Sequence, residues 1–117
     1  MSSELIEQIE HRFKLWDSER TKLAHLFRNR NKQAAFSPMN KQIVNFLDLL
    51  NIINDMKFVN GGDILENMEK LDVKPINCKE RLSFLMESPS HYHSFIQLSE
   101  LFTELEKQYR KKVASTR

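Results

Sequence analysis

Apolar positions recur along this chain at alternating gaps of three and four residues. From about Glu4 to about Ala35 the series is Ile6, Ile9, Phe13, Trp16, Leu23 and Phe27, with Arg20 occupying one place in it. Side chains at that spacing share one face of a helix. The pattern therefore predicts a long first helix over residues 4–35, carrying a heptad seam interrupted by a single cation. Ser3 is placed as its N-cap, with Glu4 and Glu7 at the positive end of the helix dipole. A second helix is expected to open at Ser37-Pro38, where serine caps and proline has no N–H to leave unpaired. Ile43, Phe46, Leu47, Leu50, Ile53 and Met56 hold the 3.6 period, and Val44, Leu49 and Ile52 widen the apolar surface to nearly the whole circumference. This helix is expected to stop at Asn60-Gly61-Gly62, with glycine as the left-handed cap.

Asp63, with Glu66 three residues on, then caps a short third helix bearing Ile64, Leu65, Met68 and Leu71. Lys74-Pro75 ends it. Asn77 with Glu80 opens a fourth helix carrying Leu82, Leu85 and Met86. Ser88-Pro89 repeats the earlier start signal ahead of a last helix with Tyr92, Phe95, Leu98, Phe102, Leu105 and Tyr109 at three-four spacing. No segment alternates with period two, so no strand is expected. The fold class is all-α: a single compact bundle of about five helices with long amphipathic first and last helices. It forms one domain over residues 1–117, with residues 37–113 as the bundle and the first helix available to a partner.

Composition sharpens this picture. A length of 117 residues suits one domain with one core. Two glycines and three prolines exclude a many-turned sandwich or barrel. Cys78 is the sole cysteine, so no internal disulfide framework exists and a reducing compartment is implied. Met1-Ser2-Ser3-Glu4 lacks the basic and apolar regions of a secretion signal, and an intracellular protein is expected.

The net charge is only +2, but it is unevenly spread. From Arg20 to Leu47 there are six Lys or Arg residues and no acid. Clustered cations neutralise phosphates, which makes Arg20, Lys22, Arg28, Arg30 and Lys32 candidate nucleic-acid contacts. The competing reading is a solvated helix face with cations at a helix C-terminus, where the dipole favours them. No recognition-helix, zinc-finger or RNA-binding signature is present.

Catalytic signals are weak. His91 and His93 stand two apart, which on a helix points them in different directions, and no Cys/His spacing suits a metal. Cys78 opens a helix, where the dipole lowers a thiol pKa, yet no histidine base is assigned to it, and it reads better as a small buried hydrophobe. Asp63, Glu66, Glu69 and Asp72 read as capping and surface charge. No catalytic residue, metal or cofactor is expected.

From Ile43 to Val113 the order is a helix with "FLDLLNIINDM", then "FVNGGDILENMEKLDV", a short helix, and a last helix ending "LFTELEKQYRKKV". This order resembles the N-terminal helical domain of transcription elongation factor S-II and its relatives, including the integrase-binding domain of lens-epithelium-derived growth factor. The resemblance implies a short bundle that docks acidic, aromatic-bearing disordered peptides on its inter-helix loops. Here those loops hold Lys57, Phe58 and Val59, and His91 and Tyr92. It also implies a nuclear location and a role in transcription or chromatin.

The functional expectation is a non-enzymatic helical protein–protein interaction module, an adaptor or small subunit of a larger complex. Its alternatives are a basic nucleic-acid-binding domain and a homo-oligomer paired through the Ile6-to-Phe27 seam. No membrane partner is expected.

Overall fold

The computed structural model describes residues 1–55 and 61–115, and in residues 61–63 the backbone only. Among the described residues the chain forms five α-helices and no strand: α1 (Ser3–Arg28), α2 (Lys32–Ile53), α3 (Gly61–Glu66), α4 (Cys78–Glu87) and α5 (Tyr92–Ser115). A single 3-10 turn, Met68–Lys70, follows α3. The all-α bundle with long first and last helices is thus the observed architecture.

The body consists of α1, α2 and α5. Helix α1 runs antiparallel to α5, as the ring pairs show: Phe27 meets Phe95, Trp16 meets Phe102, and Phe13 meets Tyr109. The Trp16 and Phe102 rings are stacked, 4.4 Å apart with 6° between their planes. Phe46 of α2 closes edge-on against Phe102, so all three helices meet at that ring. The heptad seam of α1 is therefore spent inside its own chain: Ile9, Phe13, Trp16, Leu23 and Phe27 are buried, while Arg20 is exposed.

Two polar locks fix the helix pairs. Asn45, buried in α2, donates to the backbone carbonyl of Arg12 and to Gln42 Oε1; the Arg12 guanidinium donates to Asn45 Oδ1 and to Asp48. Arg81 of α4 forks onto both carboxylate oxygens of Glu104 of α5 at 3.0 and 2.6 Å, and also donates to Gln97 Oε1 and the Ile76 carbonyl. Two parallel charge-assisted bonds fix direction as well as distance. The Glu104 hydrogen bond is the main reason the Arg81 pKa is raised above its ordinary value. At the far end, Lys112 of α5 donates to the Ile53 carbonyl in the last turn of α2, where the dipole favours a cation.

Several boundaries differ from the expected ones. The 4–35 helix ends at Arg28, and the second helix begins at Lys32 instead of Ser37. The break is a Schellman motif: Asn31 N–H donates to the Leu26 carbonyl and Arg30 N–H to the Phe27 carbonyl, with Arg30 left-handed at φ 57°. An arginine in the position glycine usually holds hides this stop from sequence. Asn31 then caps α2 by accepting from Ala34 N–H. Pro38 consequently lies inside α2, although it removes the donor for the Ala34 carbonyl. Burial of Ala35 and Met39 on either side holds the helix through it. At the start of α1 the cap is Ser2, not Ser3.

Helix α2 stops at Ile53, with left-handed Asp55 after its cap, and no glycine takes a positive φ among the described residues. Gly61, Gly62 and Asp63 are helical in α3, so the expected glycine stop and the Asp63 cap are both displaced. Asn54 instead ties this corner: its side chain donates to the Leu50 and Val73 carbonyls and accepts from Val73 N–H. Ser88 terminates α4, and Ser88-Pro89 precedes α5 by a full turn. Val44 points to solvent, so the apolar surface of α2 does not close around the helix.

Candidate functional site

The α1–α5 contact does not seal along its whole length. Trp16 fills it at one level, but at the next the facing residues are small: Ala24 and Thr21 from α1, Ser99 from α5. A hollow of about 440 Å³ results, lined by Arg20, Thr21, Ala24, His25, Arg28, Phe95 and Ser99. A second hollow of about 330 Å³ continues it toward the start of α5, lined by Ala24, Phe27, Arg28, Tyr92 and Phe95. The two share Ala24, Arg28 and Phe95 and form one groove. Arg20 and Arg28 stand eight residues apart on α1, about 12 Å at the helical rise, so one cation guards each end of the α1 wall.

The opposite lip is aromatic. Tyr92 is 55% exposed and leans edge-on against Phe27 at 6.1 Å and toward Phe95 at 6.3 Å. Phe27 and Phe95 stack on each other below it, 5.2 Å apart. The Asn29 side-chain nitrogen lies 3.0 Å from Nε2 of His25, which holds the imidazole at the rim.

Among the described residues, Arg20, Arg28, Arg30 and Lys32 have no carboxylate within ion-pair distance, whereas Arg12 and Lys22 each have one and Arg81 and Arg110 each have two. Four cations without counter-charges at one corner create a local positive field that the net charge of +2 conceals.

The residues singled out from sequence divide accordingly. Arg20 and Arg28 line the groove, and Arg30 and Lys32 flank it at the α1–α2 turn. Lys22 lies elsewhere, 3.7 Å from Glu19. Tyr92 enters the groove; His91 sits just before α5, exposed, with its carbonyl accepting from Ser94 and Phe95 N–H. Lys57, Phe58 and Val59 lie outside the described residues. Sequence reasoning passed over Phe27 and Phe95 as plain core and did not single out Thr21, Ala24 or Ser99. The available signal was Arg20 itself: a cation in an apolar seam marks the level at which the seam does not close.

No three His, Cys, Asp or Glu side chains are grouped to hold a metal ion among the described residues. Cys78 is buried at the start of α4, and loss of solvent pushes its thiol up to about 12 from 9.0, leaving it protonated and unreactive at neutral pH. No described helix is long and apolar enough to cross a membrane.

Comparison with known proteins places the chain. Residues 6–117 match the family model described as YpoC-like protein. The uncharacterized protein YpoC of Bacillus subtilis (strain 168) is 34% identical over 107 residues, covering 90% of this chain. The chain spans 64% of that relative's own length. No solved structure matches. These findings overturn the resemblance to the elongation factor S-II domain, which rested on leucine spacings that many helical bundles share. The nuclear location falls with it, because the relative is bacterial and a bacterium has no nucleus; the link to transcription, which came only from that resemblance, is left without support.

Proposed function

We propose that this chain, which belongs to the YpoC-like family, is a non-enzymatic helical interaction module. It acts as an adaptor or small subunit whose α1–α5 groove docks an extended anionic segment of a larger partner. The observation that carries this reading is the coincidence of a half-open groove with four cations that, among the described residues, have no carboxylate partner. Stable bundles of this kind usually satisfy or disperse their charges. Here the satisfied arginines join helices, and the unsatisfied ones gather where the helices part. An anionic chain laid along the groove neutralises them and covers the exposed face of Tyr92. Association through the α1 seam receives less support, since its large side chains are already packed within the bundle.

The test compares two charge reversals of equal size. Arg20→Glu/Arg28→Glu changes the groove; Lys107→Glu/Lys111→Glu changes exposed cations near the far end of α5. On an immobilised polyanion such as heparin, the groove variant is expected to elute at much lower salt than the control variant, with helical circular dichroism unchanged in both. Equal elution of the two variants would defeat the reading.

A further inference from the structure

We infer that the anionic segment is single-stranded nucleic acid, held by phosphate contacts to Arg20 and Arg28 and by a base stacked on Tyr92. This inference rests on the groove being a docking site, as proposed above, and names its occupant. Three observations favour a nucleic-acid strand over an acidic peptide.

The first is how little apolar area the groove offers. Phe27 and Phe95 are 8% and 5% exposed, so of these three rings Tyr92 alone is open to an incoming group, with the His25 imidazole at the rim. A peptide anchor gains affinity by filling a deep apolar pocket. A base needs only one π-face, and every base has one.

The second is the type of cation. Among the described residues, three of the four cations without carboxylate partners at this corner are arginines: Arg20, Arg28 and Arg30. A guanidinium forks onto phosphate oxygens and stacks on planar rings, which an ammonium does not. The separation of Arg20 and Arg28, about 12 Å, spans roughly three to four nucleotides at a stacked rise of about 3.4 Å. Thr21 and Ser99 line the hollow from opposite helices, and their hydroxyls are of a type that donates to phosphate oxygens.

The third concerns strandedness. Helix α1 is engaged by α2 on one side and α5 on the other, so it cannot enter a duplex major groove as a free recognition helix does. Tyr92 sits at the lip of a cleft, where a base reaches it only when unpaired. Backbone contacts plus one stacking platform give binding with little sequence preference.

Fluorescence anisotropy with the full chain tests this, using a labelled twelve-nucleotide oligothymidylate, a hairpin duplex of the same length, and a labelled Glu-Tyr copolymer as acidic peptide. The oligothymidylate should bind most tightly, with affinity falling linearly on a log–log salt plot. Arg28→Gln should make that slope shallower by about 0.7, the loss of one phosphate contact on a single strand. Tyr92→Ala should weaken binding at least about five-fold, and Tyr92→Phe should restore it, because stacking needs the ring and not the hydroxyl. If the copolymer binds better than the oligonucleotide and loses affinity in Arg28→Gln, the nucleic-acid inference fails while the docking reading stands. A preference for the hairpin, or no loss in Tyr92→Ala, also overturns the inference. Binding of none of the three probes overturns both.

Discussion

At the Phe13–Trp16 level of the α1–α5 contact, rings from both helices meet and exclude water. One to three turns further along α1, between Arg20 and Arg28, the same two helices leave an open groove. The backbones continue alongside one another, so the difference lies in the side chains. Trp16, Phe102 and Tyr109 fill the interhelical space, whereas Ala24 and Ser99 are too small to do so and Arg20 extends to solvent. The cations divide in the same way. Arg12 and Arg81 complete polar locks between helices; among the described residues, Arg20, Arg28, Arg30 and Lys32 lack carboxylate partners at the open corner. One region uses its side chains to hold helices together, and the other leaves its side chains available to something else.

Four substitutions separate the two regions. The largest expected effect is at Trp16. Trp16→Ala should remove about 3–5 kcal/mol of stability, because truncating a buried large aromatic forfeits both burial and packing; urea unfolding followed by circular dichroism measures it. Arg81→Ala comes next, at about 2–3 kcal/mol, since it strips the fork from Glu104 and leaves Gln97 and the Ile76 carbonyl without their donor. An Arg81→Ala variant as stable as the parent would show that the α4–α5 lock is dispensable.

Cys78 gives a smaller, pH-dependent effect. Its native thiol stays protonated up to about 12, while the unfolded chain ionises near 9.0. Its contribution is thus fully present below pH 9.0 and is lost as pH rises toward about 12. By pH 10 the difference amounts to about 1 kcal/mol. Cys78→Ala should flatten that part of the alkaline decline relative to the parent, and native Cys78 should resist thiol reagents at pH 8 until denaturant is added. The smallest effect belongs to the open corner. Arg20→Glu/Arg28→Glu should change stability by about 1 kcal/mol or less, mostly through the helix dipole at Arg28, yet it should abolish strong retention on a polyanion. A large stability loss in that pair would place these arginines with the locks.

Much of the body was legible in sequence. The seam of α1, the buried face of α2 and the stripe of α5 follow directly from three-four spacing, because burial repeats with the helical turn. Boundaries were less legible wherever an atypical residue performs a cap. Arg30 and Asp55 take the left-handed positions that glycine usually holds, so Gly61-Gly62 misled as a stop. Pro38 misled as a start, since its fixed φ suits a helix interior when neighbouring burial offsets the lost hydrogen bond. The groove was half legible. Arg20, Arg28 and Tyr92 stood out for charge and aromaticity, but as two unrelated groups more than sixty positions apart.

The family match and the geometry divide what is known of this molecule in the same manner. By itself the sequence determined that the fold class is all-α, that its first and last helices each bury one stripe, and that a run from Arg20 to Leu47 carries no acid. Those are properties of local spacing and composition, which need no knowledge of what lies opposite. Only the tertiary structure decided that the two stripes bury one another, that small residues from both helices fall at the same level, and that Tyr92 stands across from Arg28. A groove is the space left where two surfaces fail to meet, and that depends on the antiparallel register of α1 against α5, which neither helix encodes alone.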